Sequence, residues 1–175
     1  MFKEYRKFSK IITVEDFILP SIGIKKKLNK TIKEAKLIYR ATRNGDGSAQ
    51  FHNKCNGKSN TVTFVKTKTE RKFGGFACTA WHSNGSWSSD LNAFLFSLDL
   101  FECYYYNTGN QVYGNNSYGP TWGSGHDLYL ANSCLSNNSS ITNQNSYNYY
   151  GKTYALNGAA NFTPIDYETY ELILE

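Results

Sequence analysis

Ser124, His126 and Asp127 stand together in Gly123-Ser-Gly-His-Asp127, the residue types of a hydrolytic triad packed into one short stretch. A working triad needs the acid to orient the imidazole while the imidazole reaches the nucleophile, and separated segments normally supply the three groups. Asp127 directly follows His126, so in extended chain the two side chains diverge. No Gly-x-Ser-x-Gly elbow is present. The stretch reads as a turn leading into a strand.

Three other groupings have chemical potential. His52 and Cys55 lie at i, i+3 of a short helical stretch, where an imidazole on the same face would lower the thiol's pKa. Cys55 is thus the redox candidate, set against the commoner role of a thiol as a small buried apolar group. Asp166 and Glu168 share one face of the final strand, with Asp127 a further acid that can join them in acid–base work or cation binding. Acids alternating on an edge strand also defend against edge-to-edge aggregation, and that reading is preferred. Arg40 and Arg43 can grip a partner's carboxylate, or pair inside the fold with Asp46 or Glu168, which is the preferred reading. Trp87 and Trp122 read as loop residues, each either an exposed anchor for a partner or a ring folded beneath its loop. No catalytic set, metal site or cofactor site assembles from these residues.

The elements that must position them are legible in outline. Thr61–Lys66 alternates and is rich in β-branched residues, as a half-buried strand does. Phe73–Trp81 carries paired glycines, the mark of a bulge or of a close backbone approach. Ala93–Leu98 is apolar on both faces, which predicts a strand covered on each side, at or near the middle of a sheet. Further strands are expected at Leu37–Thr42, Glu102–Tyr106, Asp127–Ala131 and Tyr167–Leu174. Thr13-Val-Glu-Asp16 resembles a capping box that opens a short helix, stopped by Pro20. Leu28, Ile32 and Ala35 fall at helical spacing, predicting a second helix there. Asp46 or Ser48 is expected to cap a third over Ala49–Asn53. Ser83–Asp90 and Ser133–Tyr150 read as polar loops. The chain is therefore expected to be α+β, mostly antiparallel sheet, with its helices concentrated in the first third.

A length of 175 residues suits one domain with a core of its own, and 3 Trp, 14 Tyr and 11 Phe make that core aromatic. The formal charge of +5 is uneven. Residues 1–36 hold ten Lys/Arg against four acids, and residues 37–175 nine against ten, so a basic, helical N-terminal segment precedes a near-neutral β-rich body. That distribution argues against a nucleic-acid groove, which needs basic residues around a folded surface. Cys55, Cys78, Cys103 and Cys134 form no Cys-x-x-Cys pair. There is no signal-peptide pattern and no bilayer-length apolar run. These features predict a cytoplasmic or nuclear protein with reduced thiols and no membrane insertion.

Taken in order, several segments resemble the TLDc domain family. They are Leu37-Ile-Tyr-Arg-Ala-Thr-Arg-Asn-Gly45, Phe51-His-Asn-Lys-Cys55, Phe73-Gly-Gly-Phe76, Asp90-Leu-Asn-Ala-Phe-Leu-Phe-Ser-Leu98, Gly119-Pro120, Gly123-x-Gly-x-Asp-Leu128 and Asp166-Tyr-Glu-Thr-Tyr170. Departures are Trp122 where the family usually has Phe, and Asp166 and Thr169 where Glu and Val are usual. The resemblance implies a two-layer antiparallel β-sandwich flanked by short helices. It also implies a non-enzymatic domain linked to oxidative-stress resistance that binds V-ATPase peripheral subunits, monomeric outside that complex and recruited to organelle membranes through it. Two other functions stay open: a structural or adaptor subunit of another large assembly, such as a cytoskeletal one, and a peroxide-handling enzyme working through Cys55.

Overall fold

The computed structural model describes residues 9–175, so Lys3, Arg6 and Lys7 of the basic N-terminal segment lie outside the described residues. A 3₁₀ turn over Glu15–Phe17 leads into α1 (Ile18–Leu28). The carboxylate of Asp16 accepts the Thr13 backbone N–H at 2.9 Å, so the capping contact forms as its spacing predicts. Pro20 does not stop the helix. It occupies the first turn of α1, where a missing N–H costs little. Gly23 lies inside the same helix, and the ring of Phe94 fills the space where a Cβ would stand. Asn29, left-handed at φ 54°, ends the helix.

Next comes β1 (Ile32–Arg40), not a second helix. Leu28, Ile32 and Ala35 have helical spacing, but the last strand, β12 (Pro164–Leu174), takes Ile32–Arg40 as an antiparallel partner, and that long-range ladder overrides the local period. Two short helices follow, α2 (Ala41–Asn44) and α3 (Ser48–Cys55). Neither Asp46 nor Ser48 caps α3. Asn132 does so from a distant loop, its Oδ1 accepting the Ser48 N–H at 2.9 Å.

The remaining strands are β2 (Thr61–Thr67), β3 (Lys72–Ala77), β4 (Asn84–Ser88), β5 (Phe94–Ser97), β6 (Glu102–Tyr105), β7 (Val112–Asn115), β8 (Thr121–Trp122), β9 (Leu128–Tyr129), β10 (Ser140–Thr142) and β11 (Asn161–Phe162). They make two six-stranded sheets, ordered β1-β12-β2-β3-β5-β6 and β11-β10-β9-β8-β7-β4, with every strand pairing antiparallel. The fold is thus mostly β, a sandwich with its main helix in the first third. β5 is buried on both faces, as its composition predicts, yet it lies one strand from the edge rather than at the middle. The central places belong to β2 and β3.

Strand alternation sorts the apolar side chains into two layers. Val65, Phe73, Leu95 and Tyr167 face the second sheet and meet Trp81, Trp122, Leu128 and Tyr147. Val62, Phe64, Phe76, Phe94, Phe96 and Tyr170 point the other way and are covered by Phe17, Leu19 and Ile24 from the 3₁₀ turn and α1. Gly75 lies on the inner face, where its missing side chain admits the Trp122 indole. A Cβ there would come within 2.8 Å of both Trp122 Cε2 and Leu95 Cδ2. With that space open, Trp122 donates its Nε1–H across the sandwich to the Phe76 carbonyl at 3.2 Å and packs edge-on against Trp81. Gly75→Ala should therefore destabilise the fold by about 1–3 kcal/mol, read as a lower urea midpoint at unchanged slope.

Candidate functional site

Glu168 is a heavily engaged acid of the first sheet. Its position on β12 is interior, between β1 and β2, so the edge-strand reading of Asp166 and Glu168 is corrected. The Glu168 side chain is fully buried on the helix-covered face of the first sheet. Arg40, its cross-strand neighbour in the register, donates from Nε to Oε1 at 2.7 Å. The Lys10 backbone N–H reaches the same oxygen at 3.1 Å. The hydroxyls of Ser9 and Tyr170 each donate to Oε2 at 2.7 Å. Four donors thus meet one carboxylate, and the internal pairing preferred for Arg40 is the one that forms.

Asp166 does not join Glu168 in a shared site. Its carboxylate turns to Thr42, accepting the backbone N–H at 3.1 Å and the hydroxyl at 2.5 Å. Burial pushes its carboxyl above the ordinary range, a rise that the two Thr42 bonds oppose.

Asp127 lies in the other sheet, fully buried. Its oxygens accept the backbone N–H groups of Asn145, Ser146 and Tyr147 at 2.9–3.1 Å, pinning the loop after β10 to the start of β9. Here too burial pushes the carboxyl upward against the pull of those donors. Ser124 and His126 are turned to other partners. Ser124 Oγ accepts the Asn110 N–H at 2.7 Å. His126, in left-handed backbone at φ 59°, lies against the ring of Tyr129, and burial lowers its pKa. Among the described residues no hydrogen bond joins Ser124, His126 and Asp127, so the triad types do not form a relay.

Cys55 is wholly buried on α3, and burial drives its thiol well above the ordinary range, against what a peroxide-reactive cysteine requires. His52 does not serve it. The imidazole Nε2 lies 2.9 Å from the Tyr118 carbonyl, and Nδ1 lies 2.7 Å from Asn56 Oδ1, so both ring nitrogens are turned to partners other than the thiol. All four cysteines are free. Burial raises Cys103 to about 11 and Cys134 to about 12.

Of the remaining candidates, Trp122 belongs to the sandwich core and presents nothing to solvent. Trp87 lies on β4, an edge strand and not a polar loop, half-buried and packed on Tyr113 with ring centroids 4.7 Å apart. Arg43 pairs with neither Asp46 nor Glu168. It is exposed on α2 and, among the described residues, bonds only to the Asn44 amide oxygen, at 3.2–3.3 Å. Arg43 and Trp87 are therefore the candidates that reach the surface, on separate elements.

The structure also brings out acceptors that the sequence does not single out. Asp90 accepts the backbone N–H groups of Cys78, Thr79 and Asn92 at 2.7–3.2 Å. The Asx-turn signal of Asp90-Leu-Asn92 marks only the last of these. Among the described residues no cluster of three or more His, Cys, Asp or Glu is placed to hold a metal ion.

With the sandwich and its buried carboxylates in place, the chain belongs to the TLDc domain family, whose sequence model matches residues 5–173. No curated protein matches it.

Two predictions follow from this geometry. Glu168→Gln keeps the shape but leaves the Arg40 charge buried without its counter-ion, and should cost roughly 3–5 kcal/mol in a urea titration. A loss below about 1 kcal/mol, the scale of a solvated pair, would show that Arg40 finds water instead. A thiol-specific reagent at mildly alkaline pH should modify the partly exposed Cys78 first in the native protein, and Cys55 only at the rate of unfolding.

Proposed function

We propose that this chain is a protein-interaction domain that regulates the V-ATPase by binding its peripheral subunits, in the service of oxidative-stress resistance. Membership of the TLDc family supports the reading. The observation that carries it is the fate of the reactive groups: Glu168, Asp127 and Asp166 are spent on backbone and cross-strand bonds, and Cys55 is sealed in the core. Chemistry needs groups left open to a substrate, and the surface candidates, Arg43 and Trp87, are of the types that anchor protein interfaces. Among the described residues no helix is long and apolar enough to cross a membrane. In this reading the domain works in the cytoplasm, reaches organelle membranes through the pump, and is monomeric apart from it.

The test is capture of purified V-ATPase peripheral sector by the tagged chain, under conditions that favour the assembled and the disassembled pump. Capture is expected in at least one state. Arg43→Ala or Trp87→Ala should weaken it about tenfold or more while leaving the urea midpoint unchanged. No capture in either state would overturn the proposal. Recovery of the chain at fixed stoichiometry in a cytoskeletal assembly without pump subunits would favour the adaptor reading instead.

A further inference from the structure

A groove of about 480 Å³ opens between the β2–β3 turn and the segment running from residue 157 to β11, and none of the candidates above lines it. Its volume falls within the range of small-molecule sites. Lys68 and Arg71 stand on its wall, and among the described residues no carboxylate lines it. The nearest acid in the turn, Glu70, is taken by Lys66 at 2.7 Å, which leaves both groove cations without an ion-pair partner among the described residues. Arg71 is held over the opposite wall, its guanidinium 3.7 Å from where a Cβ on Gly158 would stand.

A second observation is independent of the charges. Asn157, also lining the groove, is 7 % exposed. Its Nδ2 donates to the carbonyls of Ala159 at 3.2 Å and Asn161 at 3.3 Å, and these two bonds fix which way the amide points. Its Oδ1 is left buried with no donor. Buried acceptors are rarely left unmet, and an unmet one calls for a missing partner. Asn138 and Asn161 add further amides, each able to donate and to accept.

We propose that this groove binds a phosphorylated polyol. Phosphate oxygens meet the Arg71 fork and the Lys68 ammonium, and a hydroxyl supplies the donor that Asn157 Oδ1 lacks. Hydroxyls both donate and accept, which suits a rim of amides. Among the described residues the single aromatic of the lining, Phe162, is buried in the core and offers no ring face for a nucleobase to stack on.

The experiment is titration calorimetry of the full chain with inositol trisphosphate, with inorganic phosphate, with inositol, and with a polyglutamate peptide. The trisphosphate should bind. Lys68→Gln and Arg71→Gln should each weaken it about tenfold, and Lys33→Gln, exposed at the far end of the first sheet, should leave it unchanged. Sedimentation with vesicles containing phosphatidylinositol bisphosphate separates the sources. Binding to both probes supports a lipid headgroup as ligand, and binding to the free trisphosphate alone supports a soluble one. No heat with the trisphosphate, binding that survives the double variant, inorganic phosphate binding equally well, or the peptide binding as tightly would each overturn the proposal.

Discussion

Glu168 is the group around which the first sheet is locked. A carboxylate taken out of water loses several kcal/mol of hydration, and here the loss is offset because four donors converge on its two oxygens. Those donors come from three places: the start of the described chain, the end of β1, and β12 itself. The charge therefore fixes more than a contact. Because Arg40 meets Glu168 directly across the ladder, the ion pair selects one register of β1 on β12. A shift of one residue would turn Glu168 onto the opposite face, into the aromatic core. Tyr170, whose hydroxyl ends on the same carboxylate, packs its ring edge-on against Phe17 and Phe64, so the polar knot and the helix-covered layer hold each other in place.

The second sheet depends on a related device. β8, β9 and β11 are two residues each, too short for ladder bonds alone to hold them. Asp127 makes up the deficit by collecting three consecutive backbone N–H groups, and in the first sheet Asp90 collects two, those of Cys78 and Thr79, just past the end of β3. Aromatic packing across the sandwich, from Trp122 into the gap at Gly75 and against Trp81, supplies the remaining tie. Side-chain oxygens thus stand in for the sheet partners that long loops lack. A surface built on such loops is ordered before it meets a partner, which lowers the entropic cost of docking.

Some of this was legible in the sequence. Thr61–Thr67, Phe73–Ala77 and Phe94–Ser97 announce themselves because their strand periodicity and their burial come from the same alternation. The misread segments are those where a distant partner decides the outcome. Ile32 and Ala35 match a helix until β12 is placed beside them. Trp122 sits among Gly and Pro, as a loop residue would, and only a glycine on another strand gives it a place inside. The candidate acids show the same limit. Asp166 and Glu168 alternate as edge residues do, and their partners Thr42 and Arg40 are 124 and 128 positions away. Charge and spacing identified the residues with chemical potential; they could not show that long-range hydrogen bonds had already used that potential up.

The place of β12 has a consequence for how the molecule comes into being. It follows every other strand of its sheet in the chain, yet it sits between β1 and β2, so until it emerges the first sheet exists as a lone strand and an unfinished four-stranded remnant. At about 5–20 residues per second, a ribosome leaves the facing edges of β1 and β2 open for several seconds after they are made. Open edges of that kind invite pairing with other nascent chains. The lysines that crowd the early part of the chain, and Lys36 and Lys66 on those two edges, give the waiting intermediate a charge that holds like copies apart.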